Sequence, residues 1–187
     1  MRRIFCAVIV AVMASTSSLV HAEVSPNQTS NYHKLDSTTL GKVKQKSKFK
    51  LFVPKSIPTK WTVELKYPYP LDITKPIQKV RLHYFDDAEN YMVGIEQHKA
   101  IGYKVKKEQI EFDVRNKKST KKIVEEDFKF DTQGEIIKLN GIEARFTPWG
   151  DHTLGGILRW VQDGTYIEME STQLPKKDMT KIAESLG

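Results

Sequence analysis

The sequence predicts an α+β fold, in which a twisted antiparallel sheet of about seven to nine strands carries a C-terminal amphipathic helix packed on it. Three features of the sequence lead to this prediction. Apolar and polar residues alternate in many short segments, Asn-Gly and Asp-Gly pairs separate some of these segments, and the last segment has apolar residues at helical spacing. No run of helical periodicity of comparable strength occurs earlier, so the sheet is expected to dominate.

Two tight hairpins are predicted in the C-terminal half of the chain. Their turns are Asn140-Gly141 and Asp163-Gly164, because both residues of such a turn tolerate positive φ. Counting outward from a two-residue loop places apolar residues opposite apolar ones and basic residues opposite acidic ones, which stabilises one register. The predicted pairs are Leu139 with Ile142, Ile137 with Ala144, Lys138 with Glu143, Trp160 with Ile167, Leu158 with Met169, and Arg159 with Glu168.

The same alternation predicts further strands upstream. A strand is expected at Phe49–Val53, ending at Pro54, and another at Trp61–Leu65. A third strand, with Val80, Leu82 and Tyr84 on one face, is expected to pair with Tyr91–Lys99 across a loop of about five residues. The three prolines within 66–76 exclude a central strand there and indicate a loop or a sheet edge.

Residues 101–134 give the weakest pattern. Ile110, Phe112 and Val114 alternate with polar residues and favour a strand from about Gln109 to Val114. The segment 121–131 is compatible with another short strand.

The C-terminal segment predicts a helix. Met179, Ile182, Ala183 and Leu186 recur at i, i+3, i+4 and i+7, with Pro175 in the first turn. One apolar stripe on one helix has to pack against something, and the sheet face formed by Leu158, Trp160, Ile167 and Met169 is the expected partner.

The N-terminus has the pattern of a secretory signal peptide. Arg2 and Arg3 precede the uncharged apolar run Ile4–Ala14, and Val20 and Ala22 occupy the −3 and −1 positions of a cleavage site. An uncleaved anchor is the alternative, but the apolar run is shorter than the roughly 20 residues that span a bilayer. We therefore expect cleavage after Ala22 and a secreted or extracytoplasmic protein, with no transmembrane segment after cleavage.

The predicted signal peptide sets the domain organisation. Residues 1–22 are expected to be the signal peptide, residues 23–46 a polar linker or arm with a short helix possible around 35–43, and residues 47–187 a single α+β domain. The one cysteine, Cys6, lies inside the signal peptide, so the mature chain has no thiol. The absence of disulfides from an exported chain favours a bacterial source, and a Gram-positive bacterium over a Gram-negative one.

Basic residues outnumber acidic ones in the chain as a whole. The formal charge is +7, and removal of Arg2 and Arg3 leaves +5. Much of the excess lies in three segments, Lys42–Lys50, Lys104–Lys107 and Arg115–Lys122. For an exported protein, anionic wall polymers or lipid headgroups are more sensible targets than nucleic acid, and the alternative is that the lysines only keep the surface soluble.

The C-terminal part of the sequence resembles a known family. The strand-forming "LRWVQDGTYIEMES", a Leu-Pro step and a helix ending "KIAESLG" are similar to the bacterial extracytoplasmic domain of unknown function numbered 4367, and "FKLFVPKSIPTKW" is similar to its opening. The resemblance implies a Gram-positive module without known catalytic activity, related to domains on anti-sigma-like proteins. This chain departs from those relatives because it has a simple signal peptide and neither a spanning helix nor a lipid-carrying cysteine.

The loop "FTPWGDHTLGG", residues 146–156, is the candidate ligand-binding site. Asp151 and His152 are adjacent, but neighbouring residues of an extended segment point to opposite sides, and no nucleophile motif accompanies them. Trp149 offers a flat ring for stacking. We expect Trp149, Asp151 and His152 to contact any ligand, with Gly155 and Gly156 allowing the next strand to start close to a neighbour. The histidines are isolated from one another, so no metal site, catalytic residue or cofactor is predicted.

Together these features predict a non-enzymatic exported bacterial domain of the cell envelope. It is expected to bind a protein partner or an anionic envelope component and no nucleic acid. The alternative is a small secreted hydrolase that uses the Asp151 and His152 loop.

Overall fold

The structure is a computed structural model that describes residues 32–66, 75–150 and 153–186. The predicted signal peptide, most of the proline-rich segment and the first part of the predicted linker lie outside the described residues. Within the described ranges, no helix is both long enough and apolar enough to cross a membrane.

The described residues form ten strands and two helices. We number them in chain order. They are β1 Tyr32–Lys34, α1 Ser37–Lys46, β2 Thr62–Lys66, β3 Lys79–Phe85, β4 Tyr91–Lys99, β5 Lys104–Asp113, β6 Lys118–Asp127, β7 Glu135–Leu139, β8 Ile142–Pro148, β9 Gly156–Gln162, β10 Thr165–Ser171 and α2 Lys176–Glu184.

Eight of the strands form one antiparallel sheet, in the order β1-β2-β3-β4-β10-β9-β8-β7. Two meanders, β2 to β4 and β7 to β10, meet where β4 pairs with β10. The predicted class, an α+β fold with a mainly antiparallel sheet and a C-terminal helix, is confirmed. Strands β5 and β6 are not part of this sheet and form a separate two-stranded ribbon.

The registers of both tight hairpins are as predicted. Across the Asn140 turn, Lys138 pairs with Glu143, and across the Asp163 turn, Trp160 pairs with Ile167. All four turn residues have positive φ, between 47° and 88°. The hairpin of β3 and β4 has the expected five-residue loop, which Asp86 stabilises by accepting hydrogen bonds from the backbone of Ala88 and Asn90. Local turn chemistry therefore accounts for these registers.

The hydrophobic core lies on one face of the large sheet, which we call the inner face. Every second residue of each strand lies on this face. Its partners in the adjacent strands lie on the same face, so they form continuous apolar rows. Helix α2 contacts β10 and β7 across this face. The fully buried side chains of the face include Val80, Leu82, Val93, Ile95, Ala144, Leu158, Trp160, Ile167 and Met169.

The strand predicted at Phe49–Val53 does not form. This segment belongs to none of the ten strands, although Leu51 and its neighbour Phe52 are both buried. The buried side chain of Gln97 on β4 replaces a strand partner: its amide group donates to the carbonyl of Phe52 and accepts from the backbone N–H of Phe52, each at 2.8 Å. The segment therefore crosses the inner face as a covering layer. Because it is not a strand, its buried residues do not alternate with exposed ones.

Part of the segment expected to be a linker has regular structure. Residues 32–46 contain β1, which pairs with β2, and α1, which begins after Asp36. The Asp36 carboxylate accepts a hydrogen bond from the N–H of Thr39 at 2.6 Å, an N-cap interaction. Val43 anchors α1 because its side chain is buried in the core. The position of α1 agrees with the short helix considered around 35–43.

Helix α2 has the predicted apolar stripe. Met179, Ile182 and Ala183 are buried, and Leu186, which follows the helix, bridges to Pro54. Pro175 occupies the N-cap position just before the first turn. Its carbonyl accepts hydrogen bonds from the N–H groups of Asp178 and Met179. Lys181 lies on the solvent side, where its ammonium group is 3.1 Å from the carboxylate of Asp178.

We expect Ile182→Ala to lower the free energy of unfolding by roughly 2–5 kcal/mol, because it removes a buried side chain and leaves a cavity. Lys181→Ala is the matched control on the exposed side of the same turn and should cost well under about 1 kcal/mol. Denaturant unfolding measures both. Equal effects of the two substitutions would contradict the packing of α2 on the sheet.

Candidate functional site

The β5–β6 ribbon brings together two of the three basic segments of the sequence. Lys104–Lys107 begins β5, and Arg115–Lys122 forms the turn and the first half of β6. Ten pairs of residues keep one register from Lys104 and Asp127 at the base to Asp113 and Lys118 at the turn. Ten residues of strand span about 30 Å. The ribbon is therefore long, and it joins two of the three basic segments in one structure.

Aromatic rings hold the base of the ribbon on the outer face of the large sheet. The ring of Tyr103, just before β5, stacks on His98 of β4 with 3.9 Å between centroids. Phe128, just after β6, packs against His98 and against Tyr166 of β10, at 4.5 Å from each. The N–H of Phe128 also donates to the carbonyl of Tyr103 at 2.9 Å. The start of β5 and the end of β6 are thus fixed to each other and to the sheet.

Charges in the basal half of the ribbon are balanced. This half, residues 104–109 and 124–127, contains three basic and four acidic residues. Cross-strand ion pairs connect most of them, and their side chains are largely exposed, so each pair contributes little to stability. The pairs are Lys104 with Asp127 at 2.6 Å, Lys106 with Glu125 at 3.4 Å, Lys107 with Glu126 at 2.5 Å, and Glu108 with Lys121 at 2.7 Å.

The distal half of the ribbon, which we call the tip, comprises residues 110–123 and is basic. It contains five basic residues, Arg115, Lys117, Lys118, Lys121 and Lys122, against the acidic Glu111 and Asp113. The tip therefore has a formal excess of three positive charges, whereas the base has an excess of one negative charge.

The tip also exposes large apolar side chains. Ile110 and Phe112 share one face of β5, and the register places Ile123 on the same face of β6. Their side chains are 62, 62 and 68% exposed, and that of Val114 in the turn is 77% exposed. Among the described residues nine large hydrophobic residues are exposed, and four of them lie in this tip. Such clustering marks an interaction surface more often than chance exposure.

Two open grooves flank the base of the ribbon. One, of about 720 Å³, is lined by residues of both strands and by Phe128 and Lys129. The other, of about 570 Å³, lies between Lys79 of β3 and residues 102–106. The first is lined by the ion-paired residues of the base, so its charges largely cancel. The basic and apolar surface of the tip is chemically more distinctive than either groove.

Only part of the predicted ligand-binding loop is described. Asp151 and His152 lie outside the described residues, so their proximity to Trp149 remains a prediction. The indole N–H of Trp149 donates to the carbonyl of Ser171 at 2.9 Å, and its ring is about half exposed. Trp149 therefore has a structural role in joining the end of β8 to the end of β10, and its outer surface stays accessible.

The two glycines of this loop allow a close approach of strands, as expected. A Cβ on Gly155 would lie 1.8 Å from the carbonyl oxygen of Ser171, and one on Gly156 would lie 2.4 Å from the carbonyl oxygen of Thr147. Both neighbours are backbone atoms, which cannot move without shifting a strand.

The outer face of the large sheet is polar. Arg159 on β9 contacts Glu168 on β10 at 2.9 Å, and the phenol of Tyr166 donates to the same carboxylate at 2.7 Å. Arg81 on β3 likewise forms an ion pair with Glu170 on β10. These ion pairs satisfy the charges on the part of the outer face that the base of the ribbon does not cover.

His83 and His98 occupy opposite ends of the β3–β4 hairpin. His83 pairs with Gly94 and His98 with Lys79. The position opposite His83 and the position of His98 therefore differ by four along β4. Burial lowers the pKa of each; the pKa of His83 falls to about 4, helped by the positive charges of Arg81 and Lys66. Each ring packs against other aromatic rings. Within the described residues no group of three or more His, Cys, Asp or Glu side chains is arranged to hold a metal ion.

The family match covers β3 and β4, the ribbon, the second meander and α2. The family model described as "Domain of unknown function (DUF4367)" matches residues 79–186, more than half of the chain. The chain belongs to this family. No curated protein and no solved structure matches the chain.

The DUF4367 match extends from β3 to Leu186, just past α2. It includes the ribbon, Trp149 and all but the last residue of the C-terminal motif "KIAESLG" that suggested the family. The segment "FKLFVPKSIPTKW" precedes the match, so its resemblance to the opening of the family remains a prediction. The DUF4367 match establishes kinship and assigns no function.

Sequence reasoning located the basic segments but missed the tip as a surface. The alternation of Ile110, Phe112 and Val114 predicts a strand but does not show whether its apolar face is covered. In the structure Ile110 and Phe112 do share one face, but no other described strand or helix packs on it. The proximity of this alternation to a basic segment was the signal that could have identified the tip.

We expect Gly155→Ala to lower the free energy of unfolding by several kcal/mol, on the order of 3, because its methyl group would meet a carbonyl oxygen of another strand. Gly41→Ala is the matched control. Gly41 lies inside α1 with nothing within 4 Å of an added Cβ, so that variant should be stabilised by roughly 0.5–1 kcal/mol. Thermal unfolding compares the two, and opposite signs are expected. Destabilisation by both would contradict this account.

We expect the protein to lose stability as the pH falls from 7 towards 4. The pKa of His83 is about 4 in the folded protein and near 6.5 in the unfolded chain. As the pH falls, His83 is protonated first in the unfolded chain, which stabilises the unfolded state relative to the folded one. At about 1.36 kcal/mol per pKa unit, the difference between the unfolded and folded pKa of His83 corresponds to a complete loss of about 3 kcal/mol. Glu64, which is paired opposite His83 on β2, is the acidic group facing it.

His83→Phe tests the source of this pH dependence, because it keeps an aromatic ring next to Tyr91 and removes the titrating group. Urea unfolding at a series of pH values should show a smaller loss for the variant than for the wild type. Parallel losses in both proteins would assign the pH dependence to other groups.

Proposed function

We propose that this protein is a non-enzymatic, exported bacterial domain that binds an anionic component of the cell envelope. The observation that carries the proposal is the β5–β6 ribbon, which joins two basic segments of the sequence into one exposed structure. Export is supported by the signal-peptide pattern of residues 1–22. Outside the membrane, wall polymers and lipid headgroups are the abundant polyanions that such a surface would meet.

The distribution of charge along the ribbon supports a binding role over a purely solubilising one. Lysines that only maintain solubility need no particular arrangement, and mixed signs serve that purpose well. In the ribbon, acidic residues accompany the lysines of the base, whereas basic residues predominate at the tip. A tip with an excess of positive charge attracts anions over a distance set by ionic strength.

The rigid attachment of the ribbon supports the same role. The cluster of Tyr103, His98 and Phe128 fixes its base, so the tip is presented at a defined distance from the sheet. Ring stacking and edge contacts of this kind add to the stability gained from apolar burial alone. A solubilising loop would gain nothing from this arrangement.

We expect the mature chain to bind purified cell walls or extracted anionic wall polymer and to be released as salt rises. Between about 0.1 M and about 1 M salt the Debye length falls from about 10 Å to about 3 Å, which weakens attraction between exposed charges. Co-sedimentation measures the bound fraction. Lys117→Gln combined with Lys118→Gln should reduce binding at low salt.

The matched control replaces the same number of lysines elsewhere. Lys42→Gln combined with Lys44→Gln changes the exposed side of α1 and should leave binding nearly unchanged. Absence of binding at low salt to both cell walls and anionic lipid vesicles, or binding that ignores salt, would contradict the electrostatic proposal. Salt-independent binding to a single envelope protein would instead favour a protein partner.

A further inference from the structure

We infer that the tip of the β5–β6 ribbon inserts its apolar side chains into an anionic phospholipid surface. This inference rests on the proposed function and names the component that the tip binds. The observation behind it is the juxtaposition, in residues 110–123, of exposed Ile110, Phe112, Val114 and Ile123 with five basic residues.

The arrangement of side chains fits a lipid interface. Ile110, Phe112 and Ile123 lie on one face of the ribbon, and Lys121 lies opposite Ile110 on that face. An aliphatic or aromatic side chain gains free energy by leaving water for the acyl region, and nearby lysines contact the headgroups through their long stems. Each basic residue near an anionic bilayer adds to the attraction. A wall polymer would use the lysines but would offer nothing to Phe112.

The size of the tip favours a membrane over a protein partner. A specific protein interface uses roughly 20–30 residues on each side. The tip is smaller than that, and its exposed apolar part consists of four side chains. A membrane is a continuous apolar medium, so a few inserted side chains and a few headgroup contacts are sufficient for peripheral attachment.

The charge of the tip disfavours a second copy of the chain as the occupant. Pairing two tips through their apolar faces would bring two surfaces together, each with a formal excess of three positive charges. The positive charges of two tips in contact would repel each other, whereas the phosphate headgroups of anionic lipids would attract the positive charges of one tip.

Vesicle binding by the chain without residues 1–22 tests the inference. This form is used because Ile4–Ala14 would itself partition into lipid, and every described strand and helix lies after residue 22. The protein should co-sediment with phosphatidylglycerol vesicles and only weakly with phosphatidylcholine vesicles. Ile110→Ser combined with Phe112→Ser should weaken binding by roughly tenfold or more, as the loss of two inserted side chains implies.

Two matched variants separate insertion from adsorption and from misfolding. Ile136→Ser changes an exposed residue of β7 far along the sheet from the ribbon, and it should leave vesicle binding unchanged. Lys117→Gln combined with Lys118→Gln should weaken binding by roughly tenfold or more, since each charge contributes near an anionic surface. Because the altered residues are exposed, all variants should melt close to the wild type.

A site-specific probe reports insertion directly. The only cysteine, Cys6, is absent from this form, so Val114→Cys introduces a unique thiol for an environment-sensitive fluorophore. Its emission should shift to the blue on anionic vesicles, whereas the same probe at Ile136→Cys should not shift. Binding without a shift at position 114, or binding that Ile110→Ser with Phe112→Ser does not weaken, would overturn insertion.

The outcomes also distinguish this inference from the proposed function. Salt-dependent binding to cell walls without binding to anionic vesicles would overturn the inference and leave the proposed function standing. Failure to bind either would overturn both. Self-association at high concentration that Ile110→Ser with Phe112→Ser abolishes, together with no vesicle binding, would assign the tip to a second copy of the chain.

Discussion

The pairing of β4 with β10 is the contact on which the rest of the structure depends. It joins two meanders that are separated in sequence by the ribbon, and it aligns Ile95 with Met169 and Gln97 with Ile167 on the inner face. That alignment makes one continuous apolar face for α2 to cover. On the outer face the same register places His98 beside Tyr166, which creates the surface that receives the base of the ribbon. Slipping β10 by one residue would exchange the two faces.

Helix α2 and the segment around Phe52 close the inner face in different ways. The helix uses a stripe of apolar side chains, and its packing follows from spacing alone. The Phe52 segment is held by the amide of Gln97, a buried polar group whose donor and acceptor are both satisfied by the same residue. A buried amide is costly unless it is bonded in this way, so Gln97 specifies where the segment lies as well as stabilising it.

The ribbon contrasts with the sheet that carries it. A two-stranded hairpin is marginally stable in water by itself. Here its base is fixed by Tyr103 and Phe128, whose rings pack on residues of the central strands. The folded body thus supports a tip whose apolar residues add nothing to the core. Side chains kept exposed in this way are consistent with the contact between the tip and an anionic surface that we propose.

The sequence by itself determined the class of the fold, the registers of the two tight hairpins and the packing face of α2. These features depend on local chemistry: positive φ at Asn-Gly and Asp-Gly turns, alternation with a period of two, and spacing of three and four along a helix. It also located the basic segments and the family. Only the tertiary structure decided that Phe52 is held by Gln97, that β5 and β6 leave the sheet, and that Ile110 and Phe112 are exposed. Alternation defines a face of a strand, but whether another element covers that face depends on contacts between residues far apart in the chain.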